Sequence, residues 1–211
     1  GLAWTLEPPL AGAFLSSVEA FPGGFVATGD AGTLLTSPDG THWTARSLAT
    51  TNWLWRARSL GGILMVVGEN GTLVTSPEGS EWTPRTSGTT EWLTDAAFVE
   101  NTWFVVGTGG AVLASTNLTA WSNLGTLTRK SLFGAAAGNG QLLAVGVEGI
   151  ILRSQIVPVR TPVQFLAYDR TAEHNVFLLG GQPDQSCLFE RSPDFSAWFP
   201  SLELEFTDGT G

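Results

Sequence analysis

Trp4, Trp43, Trp82 and Trp121 stand 39 residues apart, and Gly32, Gly71, Gly110 and Gly149 keep the same interval, as do Ser37, Ser76, Ser115 and Ser154. A fifth copy is displaced by one residue, with Ser192 and Trp198 again six residues apart. Self-similarity at a fixed period of this length decides the architecture before local propensity is weighed, because each unit must bury its apolar face against its neighbour.

Each unit reads as four short strands. The first is a small, apolar run: FLSSVEA, LWRARSL, LTDAAFV, LFGAAAG and the divergent FLAYD. The second is hydrophobic and ends in Gly: GFVATG, ILMVVG, TWFVVG, LLAVG, VFLLG. A tight turn (GDAG, GENG, GTGG, GVEG) leads to the third, TLLTS, TLVTS, AVLAS, IILRS and CLFERS, and a Trp-bearing run closes the unit as HWTARS, EWTPRT, AWSNLG or AWFPSL. Gly at both ends of the turn is expected to supply positive φ to a hairpin. Runs of four or five apolar residues in the second strand imply burial on both faces, as when sheets stack on sheets, and helical periodicity is nowhere sustained. Four antiparallel strands per unit of about 40 residues, repeated around an axis, describe an all-β fold, the β-propeller. A linear β-solenoid is the alternative, but its rungs are usually shorter and lack the Trp-terminated unit.

The units fall at about 4–42, 43–81, 82–120, 121–159 and 160–197 of a single domain, with residues 1–8 as a candidate ring-closing outer strand. The fourth copy of the Trp strand is degenerate, VPVRT, with Arg160 where Trp is expected. Residues 198–211 hold the last strand and a tail in which Leu202, Leu204 and Phe206 alternate with Ser201, Glu203 and Glu205, which is expected to extend that strand. Five units can close as five blades, or belong to a six- to eight-bladed ring completed by further sequence or by a second chain. The expected state is a monomer, or an oligomer if the ring is incomplete.

With 43% hydrophobic residues, 14% charged and 26 Gly among 211, the composition is globular and turn-rich. A net charge of -9, with one Lys and nine Arg, leaves no basic stripe for nucleic acid or an anionic membrane surface. No apolar run reaches the roughly 20 residues that span a bilayer, so no membrane insertion is expected. The single cysteine, Cys187, excludes an internal disulfide framework. No signal peptide is visible, in a chain that opens inside a repeat.

The segments SPDGTHW (Ser37 to Trp43) and SPEGSEW (Ser76 to Trp82) resemble the Asp-box, or BNR repeat, with STNLTAW (Ser115 to Trp121) and SPDFSAW (Ser192 to Trp198) as weaker copies. The unit around them is similar to the bacterial BNR and photosystem II assembly factor (Ycf48-type) group of propellers. That resemblance implies the propeller fold, a secreted, periplasmic or cell-surface location, and either a partner-holding role or, through the sialidases that share the motif, glycoside hydrolysis. The motif itself reads as structural. Asp39, Glu78, Asn117 and Asp194 sit in the hairpin between third and fourth strands, where a short polar side chain can bond turn NH groups, as can the Ser at the strand end. The Trp rings are then expected to pack between blades with the indole NH on an acceptor. The acids of the copies are few and lie on separate blades, which does not assemble a catalytic or metal-binding group.

Other chemistry is poorly supplied. A sialidase needs three convergent arginines and a Tyr-Glu pair, but Tyr168 is the only tyrosine and its neighbour Asp169 points to the opposite face of a regular strand. Arg46, Arg85 and Arg129 fall on or just after outer strands, and only Arg56 and Arg58 fall on an innermost one. His42 and His174 have no second His or Cys at ligand spacing, so no metal is expected, and no phosphate-binding loop, nucleophile elbow or dinucleotide fingerprint calls for a cofactor. The chain is accordingly expected not to be an enzyme.

A binding surface fits better. First strands of a propeller line the central channel, and on the face where they begin the repeat-equivalent residues are Phe14, Trp53 and Trp92, followed by Trp55. Turns on that face add Asp30, Glu69, Asn70, Glu148 and Asp184. Arg56 and Asp95, on neighbouring inner strands, can pair across the channel mouth. The aromatics serve either inter-blade packing or a concave face that stacks on a sugar or grips a basic peptide. The ligand is therefore expected to be a glycan or a protein segment.

Overall fold

A computed structural model describes residues 3–6, 12–124, 128–154, 164–170, 175–180, 186–191 and 199–205, the last four only in their strand pairing. The chain is an all-β propeller of four-stranded antiparallel blades, and it divides into two compact units, Gly1–Gln155 and Ile156–Gly211.

The first unit holds four blades. Blade one is β1 (Leu15–Phe21), β2 (Gly24–Gly29), β3 (Leu34–Ser37) and β4 (Thr44–Ala45). Blade two is β5 (Leu54–Leu60), β6 (Ile63–Gly68), β7 (Leu73–Ser76) and β8 (Thr83–Pro84). Blade three is β9 (Leu93–Val99), β10 (Thr102–Gly107), β11 (Val112–Ser115) and β12 (Ser122–Asn123). Blade four contributes β13 (Leu132–Gly138), β14 (Gln141–Gly146) and β15 (Ile151–Arg153), and its expected outer strand, VPVRT, lies outside the described residues. Strands follow one another within each sheet in sequence order, and inner strands β1, β5, β9 and β13 begin 39 residues apart, as the period requires.

In the second unit β16 (Gln164–Arg170) pairs with β17 (Asn175–Gly180), and β18 (Ser186–Arg191) pairs with β19 (Phe199–Glu205). The tail does extend the last strand, through Leu202 and Leu204. At the other end, residues 3–6 form no strand and Trp4 is 93% exposed; the rest of the candidate closing strand lies outside the described residues. Among the described residues no helix is long and apolar enough to cross a membrane.

Two local expectations are revised. The Trp strand pairs over only two residues per blade, because Trp43, Trp82 and Trp121 belong to the preceding turn, each indole Nε1 donating to a carbonyl three residues back: Gly40 (3.0 Å), Gly79 (3.0 Å) and Leu118 (3.2 Å). The rings of Trp82 and Trp121 still pack on the inter-blade cores. The first Gly of each inner turn is extended rather than left-handed: Gly68 has φ -174°, and a Cβ there would stand 2.0 Å from the carbonyl oxygen of Trp53. It is needed for close approach, whereas positive φ falls on Asn70 (51°) and Gly71 (66°).

The core lies between blades. Leu54, Leu64, Val66 and Val74 of blade two close on Val26 and Leu34 of blade one, and Met65, Val67 and Leu73 close on Leu93, Val105 and Leu113 of blade three. Hydroxyls on inner strands tie neighbours together, Ser16 Oγ donating to Leu54 O (2.9 Å) and Thr94 Oγ1 to Leu132 O (2.6 Å). Several apolar residues of blades one and four are more exposed than their equivalents in blades two and three. Val145 is 47% exposed, while its repeat equivalents Val67 and Val106 are completely buried.

Candidate functional site

The repeat places one aromatic residue at the head of each of the first three inner strands and holds it by a shared bond pattern. Asp30 N donates to Phe14 O (3.0 Å), Glu69 N to Trp53 O (2.9 Å) and Thr108 N to Trp92 O (2.9 Å). In return the same turn residues accept from the aromatic backbone: Phe14 N donates to Asp30 Oδ1 (3.0 Å), Trp53 N to Glu69 Oε2 (3.1 Å) and Trp92 N to Thr108 Oγ1 (3.0 Å). Thr108 Oγ1 in turn donates to the Glu91 carboxylate. Blade four has Ser131 and Val147 at these positions and lacks both the ring and the side-chain acceptor.

The rings meet. Phe14 and Trp53 stand edge to face at 5.3 Å between centroids, and Trp53, Trp55 and Trp92 form a triangle with sides of 5.7, 5.8 and 6.0 Å. Trp53 and Trp55 are two residues apart, the spacing that alternation places on one face, and a register shift lies between Leu54 and Arg56 in β5. Phe14 is 58% exposed and the three tryptophans are partly buried. Trp53 Nε1 is buried without a hydrogen-bond partner. The rings pack on one another across blades and still present an apolar surface.

Asp95 and Arg56 take a different place. Asp95 is completely buried in the wall between blades two and three, where it accepts from Arg58 Nε (2.7 Å) and Nη2 (2.8 Å), Arg56 Nη1 (3.2 Å), Ala96 N (2.9 Å) and Ala135 N (3.0 Å). Five donors occupy the carboxylate, which leaves it closed to a ligand. The bond to Asp95 comes first among the causes that raise the Arg58 guanidinium above its ordinary pKa, ahead of the opposing effect of burial. The Arg56–Asp95 pair follows from the inner-strand register, and Arg58, two residues on and facing the same neighbour, makes the stronger, bidentate contact. Arg46 and Arg85 are turned away onto the third strands, donating from Nε to Thr36 Oγ1 and Thr75 Oγ1, both at 2.8 Å.

Of the turn acids, Glu148 pairs with Lys130 on blade four. On the opposite rim, Ser37 Oγ accepts from Gly40 N (2.8 Å) and Asp39 Oδ1 accepts from Thr41 N and His42 N, both at 2.8 Å. Asn117 repeats this with Thr119 N (3.0 Å) and Ala120 N (2.9 Å), and Ser76 and Ser115 cap their turns through Gly79 N (2.8 Å) and Leu118 N (2.9 Å). Bonds from His42, its backbone NH first, hold the Asp39 carboxyl well below the usual carboxylate range. The last copy, Ser192, Asp194 and Trp198, lies outside the described residues, as do His174 and Asp184, and the side chains of Tyr168 and Cys187 are likewise not described.

No model of a protein family matches the chain, and neither does any curated protein. Solved structures do match. A structure described as YCF48 from Cyanidioschyzon merolae superposes with a TM-score of 0.57 at 16% identity, over 73% of this chain and 56% of that one. A second, YCF48 bound to D1 peptide, gives 0.54 at 17% identity, over 72% and 54%. BamB from Moraxella catarrhalis gives 0.54 at 15% identity, over 67% and 44%. The chain thus spans about half the length of the structures it resembles. At this identity the likeness is one of fold, the β-propeller.

Proposed function

We propose that this chain is a non-enzymatic binding module that holds a protein segment or a glycan on the channel-mouth face. The observation that carries the reading is the joining of Phe14, Trp53 and Trp92, supplied by three successive blades, with Trp55 into one partly open aromatic cluster. Large rigid rings at the end of a channel offer contact area at low entropic cost, which is why they recur in binding surfaces. The peptide-bound YCF48 structure supports a peptide as one such ligand, since there a propeller of similar fold takes one. Engagement of Arg56 and Arg58 by Asp95, and of Arg46 and Arg85 by threonines, supports a scaffold over a carboxylate-binding hydrolase. The turn bonds of Ser37, Asp39 and Trp43 support the Asp-box kinship, and with it an extracytoplasmic setting.

The test is a Trp53→Ala, Trp92→Ala double variant that keeps its far-UV spectrum and cooperative unfolding, probed on glycan and peptide arrays beside the parent. Loss of the parent's bound spots is expected. Retention of every spot removes the ligand from this face.

A further inference from the structure

Resting on the reading of this face as a binding surface, we infer that its occupant is a basic protein segment, an arginine- or lysine-bearing stretch laid across the Trp53, Trp55 and Trp92 rings. Three carboxylates border the cluster, each fixed by one oxygen to a neutral donor. Asp30 holds Phe14 N, Glu69 holds Trp53 N, and Glu91 holds the Thr108 hydroxyl that holds Trp92 N. A bond to an amide or hydroxyl orients a carboxylate without neutralising it. None of the three has a cationic partner among the described residues, whose ion pairs are confined to Asp39, Asp95 and Glu148.

The pattern is local to the ring-bearing blades. Blade four, which lacks the aromatic and the side-chain acceptor, carries Lys130 and Arg129 beside its inner strand and spends its turn acid, Glu148, on Lys130. Uncompensated negative charge therefore coincides with the aromatic surface. Preorganised carboxylates beside indole faces attract a cation twice over, through charge and through the negative face of the ring, and Arg and Lys stems add apolar contact. The chain's net charge of -9 strengthens the approach of a basic partner at distance. A neutral glycan would use the rings but gain nothing from three unpaired carboxylates, and an acidic segment would be repelled by them.

The test uses the full chain and four probes: capped octapeptides alternating Gly with Arg, with Lys or with Glu, and cellohexaose. Binding is followed by indole NH shifts and tryptophan fluorescence at two salt concentrations. The Arg and Lys peptides are expected to bind at least ten-fold tighter than the other two and to weaken with salt. Glu69→Gln and Glu91→Gln, which keep an oxygen for the Trp53 and Thr108 bonds, should each lower basic-peptide affinity several-fold. Equal or tighter binding of cellohexaose or the Glu peptide overturns the inference, as does basic-peptide binding indifferent to both Gln variants, or no binding by the basic peptides. A sugar response lost in the Trp53→Ala, Trp92→Ala variant would leave the face as the site while removing its basic ligand. Basic-peptide binding indifferent to those tryptophans would remove both.

Discussion

Arg58 grips Asp95 across the boundary between blades two and three, with Nε and Nη2 on the two carboxylate oxygens at 2.7 and 2.8 Å, while Arg56 reaches the same group with one nitrogen at 3.2 Å. Asp95 is completely buried and each guanidinium is about one-third exposed, so the carboxylate depends on its partners more than they depend on it. Removing one partner of a buried charge costs more than the pair itself contributes, because the remaining charge stays desolvated. Arg58→Ala is expected to destabilise by about 2 kcal/mol, and Arg56→Ala by about half that, since bidentate geometry is lost only in the first. Urea unfolding of both variants checks the order; equal costs would show that the bidentate contact is not the stronger one.

Thr28 offers the opposite case. Its side chain is completely buried in β2 and Oγ1 has no hydrogen-bond partner, while the repeat equivalents in blades two and three are Val67 and Val106. A buried hydroxyl without a partner pays its desolvation for nothing, and Val has nearly the same shape. Thr28→Val should stabilise by about 1 kcal/mol, read as a rise in unfolding midpoint at unchanged m-value.

Hairpin two lacks two bonds that hairpins one and three make. Asp39 and Asn117 each accept two turn NH groups, but Glu78, one methylene longer, does not close the same small ring. Glu78→Asn places the acceptor at the right reach and removes an acid three residues from Glu81. A gain of about 1 kcal/mol in thermal unfolding is expected, with slower amide exchange at Ser80 and Glu81.

The fold was legible because period and strand pattern agree. Three residue types, Trp, Gly and Ser, recur in step, and the first four inner strands begin where that step places them. What escaped the pattern has physical causes. Asp30 and Glu69 look like free acids on a turn, yet each spends an oxygen on the backbone of its aromatic neighbour, a contact across 16 residues that no local rule marks. Arg58 lies two residues beyond Arg56 and on the same face, but its bidentate grip on Asp95 depends on side-chain reach that strand register does not fix.

Asp39 supplies the pH dependence. Its carboxyl is held well below the usual carboxylate range, first by the His42 backbone NH, then by the His42 side chain and the Thr41 NH. A group whose folded pKa is depressed stabilises the folded state fully above its unfolded pKa, about 3.9 for Asp, and that contribution is lost as pH falls from there toward the folded value. Hairpin one is therefore expected to loosen in acid, while hairpin three, where the neutral amide of Asn117 accepts the same bonds, keeps its own. Amide shifts of Thr41 and His42, followed from pH 6 downward beside those of Thr119 and Ala120, report the two hairpins separately. In an Asp39→Asn variant the first pair should lose its acid transition and track the second, because the bond geometry survives while the titrating group does not. Parallel movement of both pairs in the parent would place the acid response elsewhere.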